Sequence, residues 1–348
     1  MASRTKRRIG RAPKPRRLKT ILTLILPGIV AVVCLSVFLY SRLSYRPGEE
    51  ITVTIDKGMS LAAIAKRLEE QGVIRSSKSF VAFALSKKAA AKLRAGEFKI
   101  RKGEKPEKVL EILVSGRMVP RSITVPEGYS LWQVANLIEH EGIDTRAVCD
   151  ALIGEKKFVK SLGLPAASLE GYLFPDTYYY TKGEGAKALF TRMVERFFSV
   201  YDQRMKKRAE EIKMTMHQVV TLASIVEKET GQAFERPMIA AVFHNRLKKK
   251  MRLQSDPTVI YGIGAAFNGN LTKKDLRTKT AYNTYKIKGL PPGPIASPGK
   301  DALEAALWPA DSTALYFVAR NDGTHVFSTQ YRDHVNAVNR YQKRSRSK

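Results

Sequence analysis

Hydrophobic and polar positions change their period along the chain, and each change predicts an element. Residues 21–40, ILTLILPGIVAVVCLSVFLY, carry no charge. About 20 apolar residues cross the hydrocarbon core of a bilayer, so this run predicts a transmembrane helix, with Pro27-Gly28 tolerable inside it. After a short Pro/Gly linker, ITVTIDKGMSLAAIAKRLEEQGVI alternates and then takes up helical spacing. It predicts a strand, a turn at Gly58 and an amphipathic helix capped by Ser60. The plan returns 70 residues later in RSITVPEGYSLWQVANLIEHEGID, where Gly128, Ser130, Leu131, Ala135, Glu139 and Gly142 repeat Gly58, Ser60, Leu61, Ala65, Glu69 and Gly72. Such self-similarity indicates a duplicated βα unit. Between the copies, FKIRKGEKPEKVLEILVSG predicts a further strand, turn and helix.

A strongly apolar run, VVTLASIVEKET over Val219–Thr230, ends in two carboxylates. Val219, Val220, Leu222, Ala223 and Val226 recur at helical spacing, predicting a buried helix that delivers Glu227 or Glu229 to its surface. At about 100° per residue the two glutamates fall on opposite flanks of the apolar stripe, so the helical wheel leaves the choice open. A carboxyl beside such a wall titrates late: desolvation can lift a glutamate to about 6, where it donates a proton near neutral pH. The plainer reading is that both simply end a core helix in water. Ahead of this run, Ala186–Met216 is charged and helical, with Leu189, Met193 and Phe197 at helix spacing. Behind it comes a second helix, Arg236–Lys250, then a loop holding Gln254, Ser255, Asp256 and Pro257. TAYNTYKIKGLPPGPIASPG is long, irregular and rich in Pro and Gly, hence a candidate functional loop. The last segment reads as helix, strand, Asn-Asp-Gly turn, strand and helix.

Composition adds a direction. The 348 residues allow a membrane anchor plus one or two domains. Basic residues number 61 against 32 acidic, a formal charge of +29, which by itself suits nucleic acid, anionic lipid or an acidic polymer. Part of that excess sits in the opening MASRTKRRIGRAPKPRRLKT and the closing YQKRSRSK. The Lys/Arg block precedes the apolar run and only Arg42 and Arg46 follow closely, which puts the N-terminus in the cytoplasm and everything after residue 45 outside. The run exceeds a signal-peptide core and SRLSYRPGEE offers no clear cleavage site. An outward domain argues against nucleic acid as partner. Only Cys34 and Cys149 are present, so no internal disulfide framework is available.

The chemistry narrows by elimination. The five histidines are scattered, and no HExxH, CxxC, P-loop, GxGxxG or GxSxG occurs, so neither a metal nor a cofactor is expected. What remains is carboxylates, tyrosines and amides in Pro/Gly loops on an exported chain, which points to glycan chemistry. SLEGYLFPDTYYYTKG brings Glu170 and Asp176 together with Tyr172, Phe174, Tyr178, Tyr179 and Tyr180; it suits sugar binding, and equally an ordinary buried turn.

LEGYLFPDTY, LASIVEKET, RLQSDPTVIYG, TAYNTY and GLPPGPIASPG, in this order behind one apolar run, resemble the endolytic murein transglycosylase family, called MltG or YceG-like, over roughly residues 45 to 340. The resemblance implies an α+β chain: a basic cytoplasmic tail (1–20), a transmembrane helix (21–40), a small LysM-like α+β module (45–118), a larger α+β catalytic domain (119–341) and a basic tail (342–348). It implies a lyase of the inner membrane, acting outside the cytoplasm on nascent peptidoglycan glycan strands. Such an enzyme cuts the MurNAc–GlcNAc bond to leave 1,6-anhydroMurNAc ends, and so limits strand length. The plasma membrane and peptidoglycan synthases are the implied partners. Glu227 matches the family's catalytic glutamate, the first acid of IVEKE. Glu170, Gln254, Asp256, Asn283 and Tyr285 become candidates to line the cleft, each equally readable as structural. A noncatalytic, membrane-anchored peptidoglycan-binding scaffold is the alternative.

Overall fold

The computed structural model describes residues 27–33, 35–36 and 47–343. The predicted N-terminal tail, residues 344–348 and much of the predicted transmembrane run lie outside the described residues. The described part of that run is helical, with Ile29, Val30, Val32, Val33 and Leu35 exposed, and no described helix is long and apolar enough to cross a membrane. The chain divides between Val119 and Pro120 into two compact units.

In the first unit, β1 (Glu50–Ile55) pairs antiparallel with β2 (Gly96–Arg101), Val53 opposite Phe98. Helices α1 (Leu61–Glu70), α2 (Ser77–Ser86) and α3 (Pro106–Ser115) join the sheet in one core built on Val53, Leu68, Phe80, Phe98 and Leu113. The pattern does not announce α2. Its apolar residues are too evenly spread for a stripe, but Ser76 caps it by accepting from the Ser79 N–H at 3.3 Å. Phe80 and Phe98 are buried and Phe83 half-buried, so these rings are core and not open platforms for sugar.

The second unit starts with β3 (Arg121–Thr124), a turn and α4 (Leu131–His140), followed by α5 (Arg146–Gly154) and α6 (Lys156–Ser161). This opening restates β1 and α1 at an offset of 70 residues. Gly58 and Gly128 sit at φ +87 and +75, and Gly72 and Gly142 at +73 and +64, left-handed angles that glycine adopts without strain. Val134, Ala135 and Ile138 are buried as Ile64, Ala65 and Leu68 are. The partners differ: β3 pairs antiparallel with β4 (Thr177–Tyr180). The aromatic stretch feeding β4 is mostly core, with Tyr172, Phe174, Tyr178 and Tyr180 buried and only Tyr179 well exposed.

Next come α7 (Ala186–Val200), α8 (Gln203–Glu211), α9 (Met216–Glu229) and α10 (Arg236–Lys248). Asp256 and Pro257, expected in a loop, instead open α11 (Asp256–Ile263), because a proline in the first turn gives up an N–H that has no helical partner anyway. After α12 (Lys273–Arg277), the Pro/Gly segment is irregular up to α13 (Lys300–Leu307). β5 (Tyr316–Ala319), a turn through Asn321-Asp322-Gly323, β6 (His325–Ser328) and α14 (Tyr331–Val338) close the unit.

Candidate active site

Helix α9 positions the site. A capping box starts it: Thr215 Oγ1 accepts from the Gln218 N–H at 3.2 Å, and Gln218 Oε1 accepts from the Thr215 N–H at 2.8 Å. Every residue from Val219 to Val226 is buried. Its β-branched residues cost a few tenths of a kcal/mol each in helix propensity, against about 1.5–3 kcal/mol gained per large apolar side chain buried, so packing decides. The helix stops at Thr230, which is extended at φ −146 and ψ 139.

The Pro/Gly segment is strapped along one stripe of α9. A His217 ring nitrogen meets the Pro292 carbonyl at 2.9 Å, and Ser224 Oγ accepts from the Ile295 N–H at 3.0 Å. Between them, Gly171 sits at φ +82, where a Cβ would lie 2.5 Å from the Pro294 ring and 2.9 Å from Val220. The strap ends at Gly299, whose N–H donates to Glu227 Oε2 at 2.9 Å. Positions 217, 220, 224 and 227 share one helix face, and Glu227 is where that face ends.

Glu227 has a side chain only 5% exposed, and its Oε1 accepts from Arg236 Nη2 at 2.8 Å. The same guanidinium reaches Glu127 at 3.1 Å and Asp301 at 3.4 Å. One cation cannot neutralise three carboxylates, and the most buried of them has most to gain from keeping its proton. Burial raises the Glu227 carboxyl above its usual range and the Glu127 charge adds to this, opposed by the Gly299 N–H and by Arg236. A carboxyl raised in this way can give up a proton and take one back near neutral pH.

Glu229 leaves the helix on the other flank. It accepts from Ser255 Oγ at 2.5 Å, and burial lifts it to about 7, with the Ser255 bond and Arg246 opposing and Asp256 assisting. Tyr285 donates to Asp256 Oδ1 at 2.6 Å, so Asp256 and Tyr285 belong with Glu229. Gln254 is exposed beside them at φ +51, its N–H on the Thr284 carbonyl at 3.3 Å. Asn283 is fully buried and spent on backbone. Its Nδ2 donates to the carbonyls of Asp275, Leu276 and Thr278, and its Oδ1 accepts from the Tyr285 N–H.

Glu170 forms a third cluster. Only 2% exposed, it accepts from the Leu131 N–H at 3.2 Å and from Tyr261 Oη at 2.9 Å. Burial raises it to about 7 against these bonds and the Gly171 N–H. It lies beneath a cleft of about 790 Å³ whose wall includes Gly128, Trp132, Lys228, Tyr261 and Ile295. Glu227 adjoins this cleft: a Cβ on Gly128 would lie 3.7 Å from Glu227 Cγ, and Lys228 donates to the Gly128 carbonyl at 3.2 Å. The sequence-predicted residues thus gather in three places and do not form one lining. Arg236, Glu127, Tyr261 and Trp132 escape the sequence reading. For Trp132 a signal exists, since its counterpart in the first copy of the repeat is Ala62.

Comparisons with known proteins converge. A model of the YceG-like family matches residues 53–340. A Bacillus subtilis protein named endolytic murein transglycosylase is 34% identical over 328 residues, covering 87% of this chain and 89% of its own length. A Streptococcus pneumoniae protein of the same name is 30% identical over 319 residues, 82% of this chain and 57% of that protein. The crystal structure of a yceG-like protein from Listeria monocytogenes matches with a TM-score of 0.58 at 33% identity, covering 83% of this chain and 98% of that one.

Proposed function

This chain belongs to the YceG-like family, and from that premise we propose that it cuts murein glycan strands internally with Glu227 as its acid. It is an endolytic murein transglycosylase: the MurNAc–GlcNAc bond within a strand is broken and the new end is a 1,6-anhydroMurNAc. The observation that carries the residue assignment is the carboxyl at the end of α9, buried, raised, and beside the cleft.

The reaction balances with one carboxyl. Protonated Glu227 gives its proton to the glycosidic oxygen as the C1–O bond breaks, and that oxygen leaves as the GlcNAc 4-hydroxyl. The muramoyl 6-hydroxyl attacks C1, which has oxocarbenium character, and the Glu227 carboxylate takes the hydroxyl proton. Glu227 ends protonated and no water is consumed. Ordinary glycosidases need a second carboxylate to activate water or to attack. Here the substrate carries its own nucleophile. Glu127 raises Glu227 by its charge and, with Asp301, shares the Arg236 guanidinium, while Glu229 braces α9 against Ser255.

The wider setting is part of the same reading. The apolar run 21–40, with its preceding Lys/Arg block, supports a single-pass inner-membrane anchor with the N-terminus in the cytoplasm and the catalytic unit outside. The two-stranded, helix-backed first unit supports a LysM-like module, and peptidoglycan synthases are the partners such an anchored enzyme would meet. Mass spectrometry of products from purified glycan strands tests the function. Internal fragments ending in anhydro sugar are expected, each lighter by one water than a hydrolytic product. Reducing ends alone would make the protein a hydrolase, and binding without any product a scaffold.

A further inference from the structure

Trp132 is a large apolar side chain left 41% exposed. It stands in the second position of α4, on the wall of the cleft that adjoins Glu227. Tyr261 backs the indole, with ring centroids 5.0 Å apart and planes 30° from parallel, and Tyr282 packs on Tyr261 at 4.7 Å. Glu170 fixes both partners at once, through Tyr261 Oη and through the Leu131 N–H, the backbone next to Trp132. The indole is therefore held in place and still open to the cleft. Gln133 and Asn136 line the same cleft; their amide oxygens are taken by Ser130 and Arg146, so it is their amide NH2 groups that they bring. An apolar ring flanked by amides matches a pyranose, whose C–H face is apolar and whose edge carries hydroxyl and N-acetyl groups. The repeat sharpens the point: at the equivalent position of the first copy, Ala62, no ring is present.

We propose that Trp132, backed by Tyr261, is the stacking platform for one sugar ring of the glycan strand, forming a subsite next to the bond that Glu227 cleaves. The proposal rests on the transglycosylase reading above. Stacking contributes to holding the strand before and during reaction, so its loss falls on KM more than on kcat.

The chain contains two tryptophans, Trp132 and Trp308. Full-length protein carrying Trp308→Phe and Glu227→Gln thus reports on Trp132 alone while leaving the strand uncut. Adding peptide-free glycan strands should change its emission saturably. In protein with Glu227 intact, Trp132→Ala should raise KM at least tenfold with kcat within about threefold, and Trp132→Phe should recover most of the loss. Unchanged emission while the strands co-sediment with the protein would overturn the platform, as would a Trp132→Ala enzyme with wild-type KM. If Trp132→Ala does not fold, the emission of the single-tryptophan protein decides alone. Wild type that makes no anhydro product fails the functional reading instead; wild type that makes it with Trp132 silent fails only this inference.

Discussion

Glu170 gives the most quantitative prediction. Its carboxyl is raised in the folded protein from an ordinary 4.5 to about 7 by burial. A group whose folded pKa exceeds its unfolded one stabilises the fold at low pH and loses that contribution as pH rises between the two values. A rise from 4.5 to about 7 corresponds to about 3 kcal/mol. Glu170→Gln keeps an acceptor oxygen for Tyr261 and the Leu131 N–H but cannot ionise. Urea unfolding followed by tryptophan fluorescence suits the test, because Trp132 and Trp308 both lie in the second unit. Between pH 4.5 and pH 8 the wild type should lose about 3 kcal/mol more than Glu170→Gln does. Parallel curves for the two proteins would show that burial does not hold the Glu170 proton and that the group is an ordinary ionised carboxylate.

Further outcomes follow from the cluster around Glu227 and from the strap. Because Arg236 lowers and Glu127 raises the Glu227 carboxyl, Arg236→Gln should move the alkaline limb of the kcat/KM profile to higher pH and Glu127→Gln to lower pH; shifts of the same sign would break the shared-guanidinium argument. Gly171→Ala forces a side chain into a left-handed backbone at φ +82 and against Pro294 and Val220, which should cost about 2–4 kcal/mol of stability. A variant with wild-type unfolding would show that the strap does not press on α9 there.

Much of the fold is legible because its signals are local. The repeat declares itself through paired glycines that need positive φ and through serine caps, all within a few residues of the helices they bound. Helix α9 declares itself through spacing. What is hidden depends on how the chain folds back on itself, which residue spacing alone does not reveal. The wheel cannot choose between Glu227 and Glu229, because what sets their surroundings apart is tertiary: the strap that ends at Gly299 and Arg236 meet Glu227, while Ser255 meets Glu229. Glu170 reads as a cleft acid but its carboxyl faces inward to Leu131 and Tyr261. Asn283 reads the same way, yet three backbone carbonyls consume its amide. Proline in the first turn would have moved Asp256 from loop to helix, and the contrast of Ala62 with Trp132 would have singled out the exposed indole.

The decisive measurement compares release of anhydro-ended fragments from glycan strands by wild type, Glu227→Gln and Glu229→Gln, with folding of each checked by thermal unfolding. Loss of the proton donor should lower the rate by about 10²- to 10⁴-fold in Glu227→Gln, while Glu229→Gln keeps a substantial fraction of activity. Anhydro product at the wild-type rate from folded Glu227→Gln would contradict the account.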